Sequence, residues 1–150
     1  PAYECRHNLL YWRNGEYVGI GPGAHSHRRM KNAAGERASR RWSNCKAVPD
    51  YVDRVEGGCT AEAFAESLTL RESMGESMML GLRLVREGVT SERFTEQHGI
   101  SPFDAFGAEL QELQEDGLLK VDEDQVRLTR RGLMLGNQVF IRFLPDPVSN

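Results

Sequence analysis

The 150-residue chain has no apolar run near the roughly 20 residues that a membrane-spanning helix requires. It also has no basic segment followed by an apolar one at its start, so a secretory signal is not indicated. With 39% hydrophobic and 27% charged residues, the composition fits a globular protein with one or two small cores. We therefore expect a cytoplasmic protein without a transmembrane segment, which leaves peripheral contact with a membrane open.

Cysteine is scarce, and the three that occur, Cys5, Cys45 and Cys59, are widely spaced. They indicate neither a disulfide framework nor a zinc site, so we expect reduced thiols of minor structural importance. An initiating methionine is lacking too, because the chain starts at Pro1, and its first apolar residues follow no turn or cap signal. We expect the chain to be a segment of a longer protein.

Charge is unevenly distributed along the chain. Residues 1–60 hold ten Lys and Arg against six Asp and Glu, whereas residues 61–150 hold nine against sixteen, balances of +4 and −7 that sum to −3. This asymmetry predicts two regions with different surroundings.

The first region has few secondary-structure signals. Residues 16–21 form a short β-prone run that ends at the turn residues Pro22 and Gly23, which predicts one strand. Since a lone strand requires partners, we expect it at the edge of a sheet formed mainly by preceding sequence. The polar, basic residues 27–46 predict a partly irregular surface segment. Residues 49–55 predict a short helix that ends at the glycine pair 57–58, the expected domain boundary.

The second region has clear helical signals. Thr69 and Glu72 have the spacing of a capping box, and the helix that they begin is expected to continue to Gly88. Its apolar residues recur at helical intervals: Leu70, Met74, Met78, Leu82 and Val85. Thr90 and Ser101 predict the starts of a second and a third helix. The expected buried face of the third helix consists of Phe103, Phe106, Leu110 and Leu113.

After Gly117 the pattern changes to two short strands around the acidic turn 122–124, which predicts a β-hairpin. Thr129 begins a closing helix that ends before Pro145. Three helices, a hairpin and a closing helix predict a winged-helix-like domain. Because its third helix and its hairpin tip are acidic, we expect no binding to nucleic acid.

A glycine-rich stretch, Gly19-x-Gly21-x-Gly23, resembles a dinucleotide-binding fingerprint only weakly. That fingerprint requires wider spacing and a helix start after it, and neither is indicated here. A structural turn in which backbone approaches closely is the favoured interpretation.

The stretch His7-Asn8-x-x-Tyr11-Trp12 is more distinctive. An imidazole beside two large aromatic rings can ligate iron while the rings cover a flat macrocycle. The alternative is a hydrogen-bonded histidine next to aromatic core residues, and physical reasoning alone favours that alternative. Cys5 would share a face with His7 in an extended segment, but two ligands do not make a metal site.

The chain as a whole resembles a known family. The His7-Asn8-x-x-Tyr11-Trp12 motif, followed by glycine-rich residues 19–26, is similar to the HemW branch of the oxygen-independent coproporphyrinogen oxidase family. Residues 72–83 and Leu128-Thr129-x-x-Gly132 are similar to that family's C-terminal helical domain. The resemblance covers nearly the whole chain, and its first motif is typical of heme chaperones rather than of coproporphyrinogen oxidases.

The resemblance implies an α+β fold in two parts. Residues 1–58 would be the last strand and loops of an incomplete TIM-type barrel plus a basic linker, and residues 59–150 a HemN-type, mostly helical, winged-helix-like C-terminal domain. The full-length parent would bind S-adenosylmethionine and a 4Fe-4S cluster through a Cys-x-x-x-Cys-x-x-Cys loop, which this sequence does not contain. The chain alone is therefore expected to be inactive as an enzyme.

The resemblance also implies site residues and a function. His7 is the candidate ligand of heme iron, with Asn8, Tyr11 and Trp12 as further heme contacts. Ala24 and His25 are expected near the S-adenosylmethionine of the parent. The implied function is a radical SAM chaperone that binds heme and delivers it to heme-dependent proteins such as respiratory enzymes. The alternative is a fragment of coproporphyrinogen III dehydrogenase, which decarboxylates propionate side chains oxidatively in porphyrin biosynthesis.

Overall fold

The computed structural model describes residues 5–145, which form two compact units. We call residues 5–14 and 71–145 the helical unit, and residues 15–70 the sheet unit. Within residues 5–145, no helix is long and apolar enough to span a bilayer.

The sheet unit is a three-stranded antiparallel meander in which β1 (His25–Lys31), β2 (Arg37–Asn44) and β3 (Glu62–Leu68) pair in chain order. Helix α2 (Val48–Glu56) connects β2 to β3 and ends at Gly57, and the following Gly58 has φ +70°. The helix predicted at residues 49–55 and its glycine end are therefore confirmed.

The prediction of a strand at residues 16–21 is wrong. Only Tyr17 pairs with β1, through two backbone hydrogen bonds of 2.9 Å with His27. Val18 and Ile20 are 69% and 89% exposed, so neither packs against a surface. Because β-propensity acts largely through packing on neighbouring strands, these residues do not form a regular strand.

The prediction of a partly irregular segment at residues 27–46 is also wrong, because most of these residues form a hairpin of β1 and β2. Asn32 organises the turn: its Oδ1 accepts hydrogen bonds from the backbone N–H groups of Ala34 and Glu36, at 3.0 and 2.9 Å. Gly35 completes the turn at φ +81°. The hairpin is mostly polar, so the hydrophobic alternation that reveals strands is missing. No sequence pattern predicts strand β3.

The helical unit combines helices with a second small sheet. Its helices are, in chain order, α1 (Arg6–Trp12), α3 (Leu70–Gly81), α4 (Ser91–His98), α5 (Pro102–Glu115), α6 (Arg130–Met134) and α7 (Gly136–Ile141). Its strands, which pair antiparallel in the order β4-β6-β5, are β4 (Val89–Thr90), β5 (Leu119–Val121) and β6 (Gln125–Leu128). The predicted second and third helices and the hairpin are thus present.

Two predicted caps are seen in this unit. Ser101 Oγ accepts a hydrogen bond of 3.1 Å from the N–H of Asp104, and Thr129 Oγ1 accepts one of 3.0 Å from the N–H of Gly132. These bonds satisfy backbone donors that a helix start otherwise leaves free, so both helices begin where the sequence predicts.

Two helices end differently from the prediction. Helix α3 ends at Gly81 rather than at Gly88, and Val85, expected on its apolar face, is 52% exposed. A Cβ at Gly81 would lie 2.7 Å from Cγ2 of Val89, so glycine allows β4 to approach closely at this point. The closing helix is interrupted at Leu135, with φ −109° and ψ 23°, which separates α6 from α7.

Three phenylalanines join the helices of this unit. Phe106 of α5 makes edge-on ring contacts with Phe94 of α4 and with Phe143 after α7, at centroid distances of 6.3 and 5.2 Å. All three are at most 1% exposed. The predicted α5 face is confirmed at Phe106, Leu110 and Leu113, whereas Phe103 is half-buried.

Substitution of Gly75 tests the packing of α3. A Cβ at Gly75 would lie 2.4 Å from the backbone oxygen of Phe143, whereas a Cβ at Gly107 in α5 would meet nothing within 4 Å. We expect Gly75→Ala to destabilise the chain by about 1–3 kcal/mol through overpacking, although alanine favours helix. The control Gly107→Ala should stabilise it by up to about 1 kcal/mol. Thermal unfolding measures both, and an unchanged or raised Tm for Gly75→Ala would contradict this packing.

Candidate functional site on the first helix

The distinctive motif at residues 7–12 lies in helix α1 rather than in an extended segment. His7 and Asn8 are exposed, Tyr11 is half-buried and Trp12 is 37% exposed. Because His7 and Tyr11 are four residues apart, the helix brings their rings together edge-on, with centroids 4.8 Å apart and planes at 83°. Cys5 is the N-cap residue, so it shares no extended face with His7.

Arg13, directly after α1, ties the end of this helix to the helical unit. Its guanidinium donates two hydrogen bonds to the Glu87 carboxylate, at 3.0 and 2.6 Å. Its backbone oxygen accepts a hydrogen bond of 2.9 Å from Nε2 of Gln97 in α4. The guanidinium of Arg83 lies over the Trp12 ring, 5.6 Å from its centroid. The helical unit therefore positions the motif.

Asn14 adds a buried polar contact to the attachment of α1, by which we mean the contacts that residues 12–14 make with the rest of the helical unit. Its Nδ2 donates to Oγ of Ser77 at 3.0 Å, and the same Oγ lies 2.8 Å from Nε2 of His98. Asn14 and His98 are 6% and 3% exposed. The backbone of Asn14 has φ 49°, a conformation that asparagine tolerates better than most residues. Three side chains distant in sequence thus share one hydrogen-bond chain.

Glu87 is the electrostatic centre of the attachment. Besides Arg13, it pairs with Arg93, which also donates a hydrogen bond of 2.9 Å to the backbone oxygen of Gly88. The hydrogen bond from Arg13 and the charges of both arginines lower the pKa of the Glu87 carboxyl, and partial burial opposes this effect. An ionised Glu87 is therefore favoured in the folded chain.

The glycine-rich stretch lies in the sheet unit and leads into β1 rather than into a helix. A Cβ at Gly19 would lie 2.3 Å from the backbone oxygen of His25, so only glycine permits this approach. Gly21, at φ +106°, donates its N–H to the Tyr51 hydroxyl at 3.2 Å, and its oxygen accepts from Nδ2 of Asn44 at 2.9 Å. These contacts support the interpretation as a structural turn.

Ala24 and His25, expected near S-adenosylmethionine in the parent, lie at the start of the first sheet. The backbone oxygen of Ala24 accepts a hydrogen bond of 3.0 Å from the N–H of Asn44. His25 is exposed and opposite Ser43 in the strand register. The two residues belong to the sheet unit, whereas the motif at His7 belongs to the helical unit. That Ala24 and His25 lie near S-adenosylmethionine in the parent stays a prediction.

The residues of this chain do not fit a 4Fe-4S cluster. Cys45 is buried, Cys5 and Cys59 are exposed, all are free thiols, and their spacing is not Cys-x-x-x-Cys-x-x-Cys. Among the residues that the structure describes, no group of three or more His, Cys, Asp or Glu side chains can hold a metal ion. We therefore assign no chemical step to such a cluster in this chain.

Comparison with known proteins shows what the helical unit is similar to. Residues 68–135 match the HemN C-terminal domain family. The structure is similar to that of the radical SAM enzyme coproporphyrinogen III oxidase (HemN) from Escherichia coli, with a TM-score of 0.53 and 20% identity, over 86% of this chain and 28% of that one. At this identity the likeness concerns the fold alone, a mixed arrangement of helices and small sheets. The coarse fold class is thereby confirmed.

Two relatives at higher identity are heme chaperones. The chain is 37% identical to heme chaperone HemW of Bacillus subtilis over 143 residues, 95% of this chain and 35% of that protein. It is 33% identical to HemW of Lactococcus lactis over 149 residues, 99% of this chain and 36% of that protein. The resemblance to HemW-type heme chaperones is thus confirmed. The chain spans about a third of the length of these relatives, and the domain matched is C-terminal by its description.

No sequence motif identifies several of the residues that hold α1 against the helical unit. Arg13, Asn14 and Glu87 are ordinary polar residues in the sequence. The contacts that join the end of α1 to the helical unit span 74 positions between Arg13 and Glu87 and 63 between Asn14 and Ser77. Only the dipeptide Asn14-Gly15, typical of a tight turn, marks the end of α1 locally. Contacts between residues so far apart in the sequence can be identified only from the folded structure.

The Glu87→Gln variant tests the attachment of α1. Near neutral pH we expect it to lower stability by about 0.5–1 kcal/mol, because two partly exposed ion pairs are lost. Since the pKa of Glu87 is lowered from 4.5 on folding, its ionised form contributes stability that is complete above about pH 4.5 and is lost as the pH falls through the lowered pKa. The Tm difference between wild type and variant should therefore shrink at acidic pH.

The control for this experiment is Glu123→Gln, at the exposed hairpin tip. It should leave Tm unchanged near neutral pH. A Tm difference for Glu87→Gln that persists undiminished at strongly acidic pH, or one matched by the control, would show that the ion pairs are not its cause.

Proposed function

We propose that the chain is the C-terminal portion of a radical SAM heme chaperone, which binds heme and delivers it to heme-dependent proteins such as respiratory enzymes. The exposed imidazole of His7, held edge-on to Tyr11 in a helix attached to the helical unit, carries this proposal. The heme chaperones to which the chain is similar support it.

In the proposed site, His7 is the ligand of heme iron. Imidazole is the most common axial ligand through which proteins hold heme iron, and an exposed ring leaves it free for coordination. Tyr11 contacts the imidazole and limits its rotation. Asn8 lies beside His7 on the exposed part of α1, and Trp12 offers an aromatic surface at the end of that helix. These side chains bind and orient heme without chemical change.

We further propose that the parent contains an incomplete TIM-type barrel that binds S-adenosylmethionine and a 4Fe-4S cluster. Residues 1–58 would be its end and linker, with Ala24 and His25 near the S-adenosylmethionine, and residues 59–150 a winged-helix-like domain. The compact units differ from these bounds, because α1 belongs to the helical unit and β3 pairs with β2 in the sheet unit. The order β4-β6-β5 beside α3, α4 and α5 supports the winged-helix comparison. This chain is expected to have no radical chemistry alone, because it lacks the cluster ligands.

The second candidate is a fragment of coproporphyrinogen III dehydrogenase. The fold is compatible with it, because the HemN structure has a similar arrangement. The motif at His7 favours the chaperone, as do the heme chaperones of higher identity.

Heme titration of the chain and of His7→Ala tests the proposal. We expect wild type to bind heme with an absorption spectrum typical of an imidazole ligand. The variant should change that spectrum and bind at least about tenfold more weakly, the equivalent of 1.4 kcal/mol. His25→Ala, which removes an exposed histidine from the sheet unit, is the matched control and should behave as wild type. An unchanged spectrum and affinity for His7→Ala would reject His7 as the ligand.

A further inference from the structure

Arg83, just after α3, has an unusual environment among the arginines of the helical unit. Its guanidinium lies over two aromatic rings, 5.6 Å from the centroid of Trp12 and 4.6 Å from that of Phe140. Arg13 and Arg71 pair with glutamates, whereas no described carboxylate pairs with Arg83 and no described acceptor takes its hydrogen bonds. The two rings orient this cation, and within residues 5–145 its donors have no acceptor.

Arg83 forms part of the wall of an open groove of about 550 Å³ beside α6 and α7. Leu128, Leu133, Met134 and Phe140 supply apolar surface, and the amides of Asn137 and Gln138 supply polar groups. Met134 is 84% exposed and Leu133 44% exposed, so apolar surface of this groove is open to solvent. Exposed apolar surface with a few polar groups is typical of a ligand site.

The chemistry of the groove selects one class of ligand. A guanidinium binds a carboxylate through two parallel hydrogen bonds, and aromatic rings beside it exclude water from those bonds. The leucine, methionine and phenylalanine side chains favour an apolar body rather than a small hydrated anion. The ligand that fits is therefore a largely apolar molecule that carries a carboxylate at its edge.

We propose that Arg83 binds a propionate of the tetrapyrrole, and that the groove beside α6 and α7 receives the edge of the macrocycle. This proposal rests on the proposed function, because the heme-binding motif makes a tetrapyrrole the expected ligand. Trp12 connects the two sites: it is the last residue of α1 and it contacts Arg83. His7 and Trp12 are separated by roughly 7.5 Å along the helix axis, at 1.5 Å per residue. Arg83, which forms part of the groove wall, therefore lies at the end of the motif helix.

The test uses protoporphyrin IX without iron and its dimethyl ester, in which both carboxylates are blocked. Fluorescence titrations of the full 150-residue chain measure both affinities in wild type and in Arg83→Gln. Arg86→Gln is the matched control, because Arg86 is exposed, three residues away, and outside the groove lining. Circular dichroism checks that each variant is folded.

We expect wild type to bind the acid more tightly than the ester. Arg83→Gln should weaken binding of the acid about ten- to hundredfold, the range of a hydrogen bond to a charged group, and leave binding of the ester unchanged. Arg83→Lys, which keeps the charge without the planar fork, should recover part of the loss. The control should match wild type for both ligands.

Three outcomes would overturn the proposal: equal affinity of wild type for acid and ester, equal weakening of both ligands by Arg83→Gln, or the same loss in Arg86→Gln. None of them depends on iron, so they do not affect the assignment of His7. Conversely, His7→Ala with an unchanged heme spectrum rejects the iron ligand while the Arg83 comparison still stands. The two proposals therefore fail separately.

Discussion

The buried hydrogen-bond chain from Asn14 through Ser77 to His98 is the contact on which the position of the motif helix depends. A buried polar group without its partner costs about 1–3 kcal/mol, so displacement of α1 would leave two or three such groups unsatisfied. The ion pairs of Glu87 with Arg13 and Arg93 reinforce this attachment at the surface. Together these contacts assign α1 to the helical unit, although the 56 residues of the sheet unit separate residues 5–14 from the rest of the helical unit in the sequence.

This attachment has a consequence for function. A helix of seven residues is too short to be stable alone in water, so His7 and Tyr11 keep their arrangement only while α1 is held at its far end. The same attachment brings Trp12 against Arg83. In our proposals, α1 supplies the iron ligand His7 and, through Trp12, contacts the arginine that binds the carboxylate, so the helical unit is the part that binds the tetrapyrrole.

The sequence predicts most of the helical unit and little of the sheet unit, for physical reasons. Ser101 and Thr129 cap helices through local bonds, and apolar periodicity identifies the buried faces, so both are visible in a single sequence. The β1–β2 hairpin is mostly polar, and β3 lacks a hydrophobic alternation. These segments form strands because they pair with one another, and no local sequence pattern reveals them. Within the site, the sequence singles out His7 and Tyr11. It cannot show that residues 7–12 form a helix, nor that Glu87 and Ser77 hold it.

Chemical-shift mapping of the isotope-labelled chain with gallium protoporphyrin, a diamagnetic analogue of heme, tests the central claim most directly. In our proposals, α1 and the groove beside α6 and α7 form the tetrapyrrole site. We therefore expect shift changes at the His7 imidazole, the Trp12 indole and the Arg83 guanidinium, with few changes in the strands of the sheet unit. Changes confined to residues 15–70, with α1 and Arg83 unaffected, would contradict the account.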